Sequence, residues 1–152
     1  MTPATSSPGT PAFFGRAPVL LSEEKRLAAL LDSLRELSGA LEVGLAPLPP
    51  RLSPPALVEE LGQVLADHFQ GAEDCLKAVA VSRRDLLPVV VDMRSDHAAL
   101  SQTLVDLRLL VGDPGRWVEL PRRIANLLER LAVHRESEAA LLSDAAAVAK
   151  VA

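Results

Sequence analysis

The stretch LLPVVVDMRSDHAALSQTLVDL, residues 86 to 107, decides the fold class of this 152-residue chain. Its apolar residues recur in steps of three and four, the spacing that places side chains on one face of an α-helix. The stripe consists of Leu86, Val90, Met93, His97, Leu100, Leu104 and Leu107. It is apolar except for His97. We therefore predict a helix that turns a histidine towards the protein interior.

Three more segments show the same periodicity, and each is bounded by turn-forming sequence. The interruptions are GLAPLPPRLSPP (44 to 55), SRRD (82 to 85) and GDPGR (112 to 116). The predicted helices lie near 21–43, 54–81, 85–111 and 117–150. Aromatic residues make up 3% of the chain, and tyrosine is absent, which favours helices over strands. Short connections make neighbouring helices antiparallel, so we predict an all-α, up-down-up-down four-helix bundle.

The N-terminal residues differ in composition from the predicted helices. Residues 1–19 are rich in Pro, Thr and Ser and lack the basic start and apolar core of a signal peptide. We predict a disordered tail over 1–19, followed by one helical domain over 20–152. The single cysteine, Cys75, has no internal disulfide partner, which fits a reducing compartment. We therefore expect a cytoplasmic protein.

Composition also excludes two classes of partner. The net charge is −4, and no aromatic residues stand among the basic ones to stack on bases, so a nucleic-acid partner is not expected. No apolar run approaches the roughly 18 residues of a membrane span, so no membrane insertion is expected. A protein partner is not identified by the sequence.

All three histidines of the chain fall on the inward stripes. His68 lies on the second helix, His97 on the third and His134 on the fourth. Counted from the intervening turns, they stand at similar depths, so the three imidazoles should meet at one level of the core. Glu138 follows His134 by four residues and shares its face. Glu24 also falls on an inward stripe, and it reaches this level if the first helix ends near Gly39.

Such a cluster has two physical solutions. Three imidazoles and one or two carboxylates are costly to bury unless something satisfies their polar atoms. A divalent cation does so by direct coordination. A hydrogen-bonded network of glutamate and histidine, with or without water, is the alternative.

The order of these residues resembles a known family, the hemerythrin-like or HHE cation-binding domain. The resemblance rests on Glu23-Glu24 in helix one, HF followed by acids in helix two, RSDHAAL in helix three and HRESE in helix four, and it spans about Leu21 to Leu142. It implies an up-down four-helix bundle with a non-haem di-iron centre. The family's ligands are a histidine in helix one, His-x-x-x-Glu in helix two, a histidine in helix three and His-x-x-x-Glu in helix four.

Carried over by position, the resemblance assigns metal ligation to four residues and shows two departures. The four are His68, His97, His134 and Glu138. Glu24 stands where the family has its first histidine, and Ala72 stands where it has a carboxylate. Glu73 points about 140° away from His68 and could substitute only if the helix were distorted.

These departures change the expected metal site. A di-iron pair needs bridging carboxylates and more imidazoles than this chain offers. The remaining ligands suit one ion, either tetrahedral zinc or mononuclear iron with Glu24 as an additional oxygen ligand.

We therefore expect a metal-binding module for sensing, storage or carriage, with a diatomic ligand such as dioxygen as a partner. The alternative is a metal-free structural or interaction bundle. A ferritin-type di-iron oxidase would require Glu-x-x-His pairs, which the chain lacks. No nucleophile elbow, phosphate loop or zinc-protease motif occurs, so no enzymatic activity is expected.

Overall fold

The computed structural model describes the backbone of residues 17–149 and the side chains of residues 23–147. This part of the chain contains four α-helices and no strand, which confirms the all-α prediction. The helices are α1 (Ala17–Glu42), α2 (Pro54–Ser82), α3 (Leu87–Val111) and α4 (Leu120–Ala149). Within the described residues, no helix is long and apolar enough to cross a membrane. The predicted tail lies outside this part, except for residues 17–19, which belong to α1.

The helix starts follow local sequence. Pro54, Pro88 and Pro121 each stand in the first turn of a helix, where the missing N–H costs nothing. Ser53 occupies the N-cap position of α2, although its side chain makes no capping hydrogen bond. The fourth helix begins three residues later than predicted because Pro114–Glu119 forms a 3₁₀ helix. The loop before α4 is tied to α3 by the Trp117 indole, which donates to the Val111 carbonyl at 3.1 Å.

Ion pairs between neighbouring helices show which of their residues lie at the same level of the bundle. Arg26 of α1 contacts Glu60 of α2, and Glu36 of α1 contacts Arg51 just before α2, so residue numbers fall along the second segment as they rise along α1. Between α2 and α3, the pairs Glu59–Arg108 and Glu73–Arg94 follow the same rule. Exposed pairs of this kind contribute at most about 1 kcal/mol each to stability. Their value here is that they define which residues of adjacent helices share a level.

The buried apolar residues form two clusters at different levels of the bundle. The larger cluster contains leucines from all four helices, such as Leu34, Leu61, Leu104 and Leu127. The smaller cluster consists of Leu76, Val79, Val90, Met93 and Leu141, which come from α2, α3 and α4. In sequence, the change from one cluster to the other occurs around His68 in α2, His97 in α3 and His134 in α4. A layer of three histidines therefore separates the two apolar clusters.

Candidate metal centre

Four of the five residues predicted as metal ligands come together in the histidine layer. His134 is buried with 1% of its surface exposed, and His97 is also buried. His68 is the most accessible of the three, with 24% of its side chain exposed. Glu138 lies among the three rings, and its carboxylate oxygens reach all of them.

Three donor atoms in this layer have the spacing that one metal ion requires. His97 Nε2 and His134 Nε2 are 3.1 Å apart, and Glu138 Oε2 lies 3.3 Å from His134 Nε2 and 3.7 Å from His97 Nε2. We call these three atoms the donor triangle. The circle through them has a radius of about 2.0 Å, which equals the usual distance from zinc to imidazole nitrogen or carboxylate oxygen. The group formed by His97, His134 and Glu138 could therefore hold one ion.

The two oxygens of Glu138 face different partners. Oε1 lies 3.0 Å from His68 Nε2, within hydrogen-bonding distance. Oε2 is buried and has no hydrogen-bond partner. A buried acceptor left unsatisfied costs about 1–3 kcal/mol. Because this atom faces the nitrogens of His97 and His134, a cation bound in the donor triangle would remove that cost.

The charges of the site follow from burial and hydrogen bonding. Burial alone would raise the pKa of Glu138, but its contacts with His134, His68 and His97 hold the pKa well below the ordinary value of 4.5. Burial alone would lower the pKa of His134, but the nearby carboxylates of Glu138 and Asp96 together outweigh burial and raise the pKa above 6.5. Glu138 is therefore an ionised carboxylate at neutral pH, the form that binds metal.

Two residues of the site were not predicted from the sequence. Asp96 Oδ2 accepts a hydrogen bond from His134 Nδ1 at 3.1 Å. The ring of Phe69 stacks on His97, with 4.4 Å between ring centroids and 21° between ring planes. Each of these residues is adjacent in sequence to a stripe histidine, and that adjacency was the available signal. Which residue they would contact depended on how the helices pack.

The prediction that Glu24 faces the interior is wrong, because this residue is exposed. The ion pairs of α1 with α2 and with the segment just before it place His68 opposite residues 18–19, so Glu24 lies about 8 Å away along the axis. The first helix continues to Glu42 instead of ending near Gly39. Glu23, rather than Glu24, lies near the centre of the buried face of α1, where it is half-buried.

Glu73 does not replace the carboxylate missing at Ala72. It forms an ion pair with Arg94, with 2.9 Å between Oε1 and Nη2. The second helix is an uninterrupted α-helix from Pro54 to Ser82, so no bulge turns Glu73 towards His68. Among the described side chains, the group of His97, His134 and Glu138 is the one with metal-ligand spacing.

A comparison of this chain with protein-family models, with curated proteins and with solved structures finds no match. The donor set itself has recognisable chemistry. Two imidazoles and one carboxylate bind zinc in some catalytic sites and iron(II) in the facial triad of non-haem iron proteins. Both arrangements leave coordination positions open to a further ligand.

Proposed function

We propose that this chain is a hemerythrin-like module that binds one non-haem metal ion, iron or zinc, through His97, His134 and Glu138. The observation that carries the proposal is the spacing of the donor triangle, whose three atoms lie on a circle of about 2.0 Å radius. The unsatisfied Oε2 of Glu138 supports it independently. The registers of α1 with α2 and of α2 with α3 agree with the up-down-up-down bundle that the resemblance implies.

The proposed stoichiometry is one ion. A second ion on the His68 side would have Glu138 Oε1 and His68 Nε2 as protein ligands, and two ligands are fewer than metal sites in proteins normally supply. His68 instead orients the Glu138 carboxylate through its hydrogen bond. It is also the most exposed of the three histidines, so solvent reaches the site beside it.

The proposed role is the sensing, storage or carriage of the metal or of a small ligand bound to it. When bound, the ion would supply a Lewis-acid centre with open coordination positions, and a diatomic molecule such as dioxygen is small enough to use them. Phe69 and the two apolar clusters cover the other sides of the site with hydrocarbon, which restricts the entry of water to the side of His68.

The test is the metal content of protein purified without chelator or nickel affinity resin, measured by mass spectrometry. We expect about one ion per chain in the wild type. His97→Ala should lose that ion, because it removes one corner of the donor triangle, and it should remain helical by circular dichroism. Glu136→Gln is the matched control, since it neutralises an exposed acid two residues from Glu138. Unchanged metal content in His97→Ala would refute the proposed site.

One observation favours a second candidate, a metal-free structural or interaction bundle. Hydrogen bonds already connect His68 with Glu138, His97 with His134, and His134 with Asp96. Such a network satisfies most of the polar atoms of the layer without a cation. The metal-free candidate predicts that a chelator leaves the melting temperature unchanged, whereas the metal module should melt at a lower temperature after chelation.

A further inference from the structure

The His134 ring is held at both nitrogens by two consecutive residues of α3. Asp96 Oδ2 lies 3.1 Å from Nδ1, and His97 Nε2 lies 3.1 Å from Nε2. Consecutive helical residues diverge by about 100°, so one reaches the outer side of the ring and the other the inner side. Accordingly, 49% of the Asp96 side chain is exposed, whereas His97 is buried.

The outer contact determines which nitrogen of His134 is available for a metal. A carboxylate oxygen accepts hydrogen bonds, so the hydrogen of the neutral ring resides on Nδ1. The lone pair then resides on Nε2, the atom that belongs to the donor triangle. Metal-binding histidines commonly donate their other N–H to a carboxylate, which fixes the tautomer and orientation of the ring.

We propose that Asp96 is a positioning residue that orients His134 for metal binding through Nε2, an inference that rests on the proposed function above. Asp96 is outside the donor triangle and acts through His134. Loss of such a partner lowers metal affinity about 10- to 100-fold. Because Asp96 is half-exposed, water can partly replace it, so the decrease should lie near the lower end of that range.

The experiment measures the dissociation constant of Zn²⁺ by competition with a chelating dye in four proteins. These are the wild type, Asp96→Ala, Asp96→Asn and Asp92→Asn. Asp96→Asn keeps the size of the side chain and an acceptor oxygen, so it should retain part of the affinity that Asp96→Ala loses. Asp92→Asn removes an equal charge from an exposed position one turn earlier in α3, and it controls for the change in net charge.

A second readout reports the tautomer directly. Long-range ¹H–¹⁵N spectra of the zinc-free proteins at alkaline pH should show the His134 hydrogen on Nδ1 in the wild type and in Asp92→Asn. In Asp96→Ala this preference should disappear. A residue that merely stabilised the fold would not change the tautomer.

The outcomes separate this inference from the proposed function. A decrease in zinc affinity of about tenfold or more in Asp96→Ala, partial recovery in Asp96→Asn and no change in Asp92→Asn support the role of Asp96. Wild-type affinity in Asp96→Ala, an equal decrease in Asp92→Asn, or an unchanged His134 tautomer in Asp96→Ala overturns that role while leaving the metal site standing. A wild-type protein that binds no zinc or iron overturns the proposed function itself.

Discussion

The two carboxylate oxygens of Glu138 face different imidazoles, and this arrangement predicts how Ala72→Glu changes the number of metal ions bound per chain. Oε2 faces His97 and His134, whereas Oε1 faces His68. Position 72, now alanine, follows His68 by one helical turn, about 6 Å along the axis and rotated by about 40°. We expect Ala72→Glu to bring a carboxylate to the His68 side. His68, Glu138 Oε1 and the new side chain would then provide three ligands for a second ion, and two ions per chain should bind.

The same substitution should lower the unfolding free energy of the metal-free protein. Ala72 is half-buried, and a glutamate there would approach the ionised Glu138. Partial burial of a charge without a partner costs about 1–3 kcal/mol of unfolding free energy. For a chain of this size, a change of 1 kcal/mol in the unfolding free energy corresponds to about 2–4 °C in the melting temperature. A ligand at one hundred times its dissociation constant stabilises the folded protein by about 2.7 kcal/mol. Bound metal should therefore reverse most of the decrease in the melting temperature.

The assay combines metal content with thermal unfolding, with and without chelator. Ala72→Gln is the matched control, because it has the same length without the charge and should bind one ion. The reasoning is refuted if Ala72→Glu binds one ion and melts like Ala72→Gln under both conditions. That result would mean that the new side chain turns to solvent.

Two further predictions concern stability. Contacts with the three histidines lower the pKa of Glu138, so its contribution to the unfolding free energy is present above pH 4.5 and is lost as the pH falls through its lower folded-state pKa. We compare the unfolding free energies of the wild type and Glu138→Gln, measured with urea in the presence of chelator. The difference between them should shrink below about pH 4.5. A difference that stays constant with pH would contradict this prediction. Leu61→Ala should cost about 2–5 kcal/mol by urea unfolding, because Leu61 is fully buried in the larger cluster. A cost below about 1 kcal/mol would show that the core collapses around the cavity.

The periodicity of the sequence predicted most of the fold. The observed helices agree with the predicted ones to within four residues at each end. The α3 stripe from Val90 to Leu107 is buried as predicted, and His97 and His134 are both buried. This agreement has a simple cause. A helix must bury one apolar face, and a period of 3.6 residues is visible in the chain itself. Because the turns bounding the helices are also visible, the common depth of the three histidines could be predicted.

The sequence by itself therefore determined most of the residues that face inward, with Glu24 as an exception, and roughly how far each lies from its turn. Only the tertiary structure decided which atoms meet. Periodicity gives the face of a helix but not its axial register against a neighbour, and that register placed Glu24 about 8 Å from the level of His68. It also brought Asp96 to His134 and divided the two oxygens of Glu138 between His68 and the donor triangle. The contacts of Asp96 with His134 and of His68 with Glu138 join residues at least 38 positions apart. The contact of Glu138 with His134 lies within one helix, and it depends on the side-chain rotamers. Only the packing of the helices selects these contacts.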